Sequence, residues 1–121
     1  MISLTYRRYG EKGLMMKDFI GKEFEPVEMH KLIDMISMRE DKDHFKVADQ
    51  EFFRTPQVVF YDDNGRNIGD AVCNAASYGH EEGLIEVMGF GLTFEKDGDE
   101  VKGYMTAEEV LEMFDNFRKG N

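Results

Sequence analysis

The chain has 121 residues, 41% of them hydrophobic and 12% aromatic, with 25 Asp and Glu against 15 Lys and Arg for a formal net charge of −10. That length suits one domain, and the aromatic content is enough for a buried core rather than a disordered tail. The charge repels DNA, RNA and anionic membrane, and attracts basic surfaces.

No apolar run reaches the roughly 20 residues that span a bilayer, and Met1 to Arg8 lacks the apolar stretch of a secretory leader. Cys73 is the only cysteine. No intramolecular disulfide is therefore expected, and a reducing, cytoplasmic setting fits.

In chain order, Ile2, Leu4 and Tyr6 alternate with polar residues and predict a half-buried strand. Gly10 and Gly13 bracket a turn, and Leu14 to Ile20 follows neither period. Pro26 suits a first helical position, and Met29, Leu32, Ile33 and Ile36 share one face, predicting a helix from Pro26 to Met38. Residues 39–56 read as a charged loop with a short strand at Phe45–Val47. Gln57 to Tyr61 is strand-like and is followed by Asn64-Gly65. As a two-residue hairpin loop, that pair sets Asp63 opposite Arg66 and Tyr61 opposite Ile68. The return strand runs through Asp70, Ala71, Val72 and Cys73.

Tyr78 to Gly83 reads as a connection, and hairpin context favours a strand over a helix at Leu84–Met88. Leu92–Phe94 and Val101–Met105 flank a turn at Lys96-Asp97-Gly98-Asp99. The chain closes with a helix. Thr106 and Glu109 have capping-box spacing, and Val110, Met113, Phe114 and Phe117 form its apolar stripe. These elements predict a single α+β domain over residues 1–121. Its mostly antiparallel sheet of three to five strands is packed by two amphipathic helices.

Candidate chemistry is sparse. Glu95-Lys96-Asp97-Gly98-Asp99 followed by Gly103 to Glu109 resembles an EF-hand loop, but Glu100-Val101-Lys102 lengthen it by three residues and spoil its ligand offsets. A β-turn followed by a capped helix explains the stretch better, which leaves weak calcium binding at 95–109 as a remote third function. Asp70, Cys73 and His80 suggest a thiol nucleophile, yet Cys73 sits in a strand pattern beside acids that raise a thiol pKa. His30, His44, His80 and Cys73 match no zinc spacing. Gly79, Gly83, Gly89 and Gly91 fit no phosphate loop, so turns and close backbone approach are the expected cause. Met35 and Met38 lie off the first helix's stripe, and core packing is the favoured reading over an exposed, adaptable patch.

Charge carries the functional expectation. Residues 1–22 are net positive, so residues 23–121 carry −13, and residues 81–115 alone hold eleven acids and two lysines. The leading expectation is a small, acidic, non-enzymatic binding protein without a cofactor. Its partner is another protein with a basic surface, bound through Glu108, Glu109, Glu112 and Asp115 of the last helix with Asp97 and Asp99 of the adjoining turn. In its most specific form it is an inhibitor whose carboxylates stand in for phosphates in a nucleic-acid-binding groove. The alternative is a small-ligand-binding or sequestering protein using the glycine-rich 78–91 region, with Tyr78, His80 and Phe90 as ring surfaces and a homo-oligomer completing the pocket. A metal site is not expected. An enzyme ranks last, because no nucleophile, base and orienting group occur together.

Overall fold

The computed structural model describes residues 15–50, 52–92 and 101–120, which build an α+β architecture. The strand expected at Ile2–Tyr6, the Gly10–Gly13 turn, Asp97, Asp99 and the rest of the 93–100 turn lie outside the described residues.

A small hairpin pairs β1 (Met16–Lys17) with β2 (Glu23–Phe24). Helix α1 (Val27–Ser37) follows, and then comes a five-stranded antiparallel sheet in sequential order. Its strands are β3 (Phe45–Gln50), β4 (Thr55–Tyr61), β5 (Asn67–Val72), β6 (Ile85–Gly89) and β7 (Val101–Met105). Helix α2 (Ala107–Arg118) closes the chain.

Strand alternation decides which sheet face is covered. Val58, Phe60, Ala71, Cys73, Ile85 and Val87 are buried, and they form one cluster with Met29, Leu32, Ile33 and Ile36 of α1 and Val110, Leu111 and Phe114 of α2. Gln57, Val59, Asp70, Val72, Glu86 and Met88 alternate with them and point to the other face. Both helices therefore pack one side, and among the described residues no helix or strand covers the opposite side of the sheet.

The helices obtain their N-terminal caps differently. Thr106 and Glu109 form the expected capping box on α2, with Thr106 Oγ1 accepting from Glu109 N–H at 3.2 Å. A further cap comes from a distance. The Glu28 carboxylate on α1 accepts the Ala107 N–H at 2.8 Å, joining the two helix starts. Pro26 sits just outside α1 as its N-cap residue and provides no side-chain cap, so the orphan Glu28 N–H donates instead to the Gly83 carbonyl at 3.0 Å. A helix end without its own cap has recruited a loop carbonyl.

Several expectations need correction. Residues 45–56 are mostly strand: β3 runs to Gln50, and Thr55 and Pro56 already belong to β4, paired with Gln50 and Asp49. The β4–β5 hairpin is one residue longer than a tight Asn-Gly turn. Asp62 N–H donates to Arg66 O and Gly65 N–H to Asp62 O, while Asp62 Oδ1 accepts from Asn64 and Arg66 N–H. Gly65 takes φ +77°, as a three-residue loop with a glycine bulge requires. Tyr61 therefore faces Asn67, not Ile68, and a bulge restores Phe60 opposite Gly69. Met38 is 86% exposed rather than core, whereas Met35 packs partly against the core. The ambiguous Leu14–Ile20 stretch supplies β1 and an exposed turn carrying Phe19 and Ile20.

Candidate functional site

Helix α2 and strand β7 border a groove of about 280 Å³ lined by Phe90, Met105, Met113 and Phe117 together with Lys102, Glu109, Glu112 and Asn116. The turn after β6 holds Phe90 there, at φ +56° with its N–H donating to Ile68 O at 2.8 Å. Such a backbone conformation is uncommon for an aromatic residue. It sets the Phe90 ring edge-on to Phe60 and Phe117, with centroids 5.0 and 6.2 Å away. The groove thus combines a methionine and phenylalanine surface with two carboxylates and one ammonium group.

The expected partner-binding acids have different duties. Glu112 is exposed, and among the described residues no ion pair engages it. Glu109 accepts from Thr106 N–H at 2.9 Å, which closes the capping box. Glu108 meets Lys31 in an ion pair with both side chains about half exposed (54% and 50%). The hydrogen bond holds the Glu108 carboxyl below and the Lys31 ammonium above their usual ranges. A pair this exposed adds little stability.

Asp115 is occupied internally. Arg39 at the end of α1 donates through Nη2 to Asp115 at 2.7 Å and through Nε to Asp41 at 2.8 Å. Arg118 donates to Asp41 at 2.6 Å and to Asp63 at 2.9 Å, and the His44 ring lies 2.8 Å from the same Asp63 oxygen. Hydrogen bonds from Arg39 hold the Asp41 carboxyl at about 2, against the opposing effect of burial. Both guanidinium groups also lie over the Phe114 ring, at 5.8 and 5.1 Å. The network ties the end of α1, the β4–β5 hairpin tip and the last turn of α2 together. A ladder of free carboxylates on α2 accordingly loses Asp115.

Tyr78, His80 and Phe90 hold three different positions. Phe90 is buried and lines the α2 groove. Tyr78 is exposed, its backbone pinned by Glu86, which accepts its N–H at 2.9 Å, and by Tyr104, whose N–H donates to its carbonyl. His80 is buried in a single 3₁₀ turn, His80–Glu82, with Nδ1 2.7 Å from Ser77 O and Nε2 2.9 Å from Asp18 Oδ2. Both ring nitrogens face acceptors, an arrangement that only the doubly protonated imidazolium satisfies. Burial opposes that charge, but Asp18, the Ser77 carbonyl and Glu81 outweigh it and raise the His80 pKa. The ring also meets Phe24 edge-on at 5.0 Å, so His80 clamps the β1–β2 hairpin to the body.

Gly79, Gly83, Gly89 and Gly91 all take positive φ. A side chain on Gly89 would meet Gly69 Cα at 2.5 Å, so backbone geometry explains the glycine density there. Cys73 is fully buried, which pushes its thiol up to about 12. Among the described residues no three Asp, Glu, His or Cys side chains gather as metal donors. In the EF-hand-like stretch, Val101–Met105 forms a strand and Glu109 serves the helix cap.

Strand and helix patterns put Met105, Met113 and Phe117 on their elements, but only the fold gathers them with Phe90 around one groove. Lys102 offered no signal, because only the pairing of β6 with β7 brings it beside α2, and Asn116 lies on α2 outside its apolar stripe. No protein-family model matches this chain, and no curated protein or solved structure matches it.

Proposed function

We propose that this protein is a non-enzymatic binding protein whose α2 groove takes a basic, amphipathic segment of another protein. The observation that carries the reading is the groove itself: an apolar floor of Phe90, Met105, Met113 and Phe117 with Glu109 and Glu112 among its lining residues. Methionine surfaces adapt to varied apolar side chains, and helix-in-groove recognition uses this kind of floor. The net charge of −10 favours a basic partner and speeds its approach. A partner whose own basic surface binds nucleic acid would be blocked by the same contact, which is the inhibitor form of the reading.

Capture by the immobilised protein from a cell lysate, at ~50 mM and ~500 mM salt, tests it, because screening shortens across that range. Basic proteins should be retained at low salt and released at high salt, and Glu112→Lys should lose most of them. Glu112 is the right site for reversal, since Asp115→Lys would also break the Arg39 pairing. Capture by Glu112→Lys equal to wild type, or indifferent to salt, sinks the proposal. If nucleic acid fails to compete with the captured partner, the inhibitor form alone is lost.

A further inference from the structure

The sheet face opposite the two helices carries a second hollow, of about 220 Å³, that shares no lining residue with the α2 groove. Asp70, Val72, Glu86, Met88 and Phe53 line it, and the Gln50 and Asn74 amides close one end, hydrogen-bonded to each other at 3.0 Å. Asp70 pairs with Met88 and Val72 with Glu86 across β5 and β6. The two carboxylates are therefore diagonal neighbours on one face, roughly 7–8 Å apart at Cα. An adjoining hollow, lined in part by Asn67, Gly69, Asp70 and Met88, extends the space past Asp70.

Two independent features of this hollow are not explained by stability. The first is Asp70. Its carboxylate is half-buried, and its described hydrogen bond comes from the neutral Gln57 amide. Among the described residues no Lys, Arg or His pairs with it, and burial raises its pKa against the weaker effect of Gln57. A desolvated carboxylate without a counter-charge is costly to the fold and gains most from an incoming cation. The second is the aromatic wall. The Phe53 ring is backed by Phe52 at 5.1 Å and Phe19 at 6.2 Å. Phe19 and Phe52 are 67% and 78% exposed, and a folded chain left to itself would gain by burying both.

Among the described residues neither Asp70 nor Glu86 has a cationic partner, and Glu86 accepts the neutral Tyr78 N–H. Such carboxylates beside an aromatic cluster and an apolar surface are the chemistry that recognises an organic cation. We infer that the hollow over Asp70 and Glu86 binds an alkylguanidinium or alkylammonium group, with its stem on Val72 and Met88 and its charge between the carboxylates and Phe53. That cation has two sources, a free amine or an Arg or Lys side chain of another chain.

Calorimetric titration with agmatine and, separately, with the blocked tripeptide acetyl-Gly-Arg-Gly-amide tests the site up to ~10 mM ligand, a range that resolves millimolar affinity. Saturable binding of at least one is expected. Asp70→Asn keeps an acceptor for Gln57 while removing the charge, so the variant should fold at least as stably as wild type and bind about tenfold more weakly. Phe53→Leu should also weaken binding, and Glu112→Lys should leave it unchanged, which separates this site from the α2 groove. Tighter binding of the tripeptide identifies a protein side chain as the source, and tighter binding of agmatine a free amine. No saturable binding of either, or equal affinity in folded Asp70→Asn, overturns the inference.

Discussion

Truncating Phe114 to alanine tests the packing of the whole fold at one point. The side chain has no exposed surface, and its ring lies 4.8 Å from Phe45 and 5.4 Å from Phe60, centroid to centroid. Arg39 and Arg118 approach the same ring at 5.8 and 5.1 Å. Losing a buried phenylalanine costs ~3–5 kcal/mol in transfer and cavity terms. Ring-pair geometry contributes ~0.5–1.5 kcal/mol and cation–π contact ~0.5–1 kcal/mol, which places Phe114→Ala in the upper half, at ~4–5 kcal/mol. Against a total of ~5–15 kcal/mol, the variant is left close to the unfolding threshold. Urea denaturation followed by far-ultraviolet circular dichroism reads this directly. With a slope of ~1–3 kcal/mol per molar urea, the midpoint should fall by ~2 M. Phe114→Leu separates the contributions: it restores most of the volume but no ring, so ~1–2 kcal/mol should remain missing. Glu112→Ala on the exposed face should stay within ~0.5 kcal/mol of wild type. Unfolding free energies for Phe114→Ala and Glu112→Ala that differ by less than ~1 kcal/mol would refute the assignment of the buried helix face.

The His80–Asp18 contact predicts a signed pH dependence. Because the His80 pKa is raised, its contribution is complete below its ordinary value of 6.5 and is lost as pH rises through the folded value. The Asp18 pKa is lowered, so its contribution is complete above 3.8 and disappears as pH falls. Urea stability measured from about pH 5 to 9 should decline on the alkaline side in wild type and decline less in Asp18→Asn; identical profiles would refute the imidazolium pairing. Cys73 offers an independent check on burial. With its thiol pushed up to about 12, it should resist a disulfide reagent in the native protein and react promptly once urea unfolds the chain. Labelling of the native protein at the rate of a free thiol would contradict the buried assignment.

Elements whose stabilising contacts lie within one or two turns of chain were legible in the sequence. The α1 stripe of Met29, Leu32, Ile33 and Ile36 and the α2 stripe around Val110 and Phe114 follow from helical period alone, and both are buried. The Thr106–Glu109 capping box spans three residues and needs no tertiary partner. The β4–β5 register was not determined, because Asn64-Gly65 satisfies either a two-residue loop or a three-residue loop with a glycine bulge. The choice between them rests on Asp62 hydrogen bonds and on keeping Phe60 in the core.

What each charged group does was decided by tertiary structure. Asp18 finds His80 from 62 residues away, Glu28 caps α2 from 79 away, and Asp115 meets Arg39 across 76. A carboxylate's charge is a property of its residue, readable anywhere in the chain. Whether it stays free for a partner, caps a helix or neutralises an arginine depends on what the fold brings within three ångströms of it. The acidic balance was therefore evident from composition, while the exposure of Glu112, the occupation of Asp115 and the pairing of Asp70 with a neutral amide, with no cation beside it among the described residues, emerged only when the strands and helices were packed.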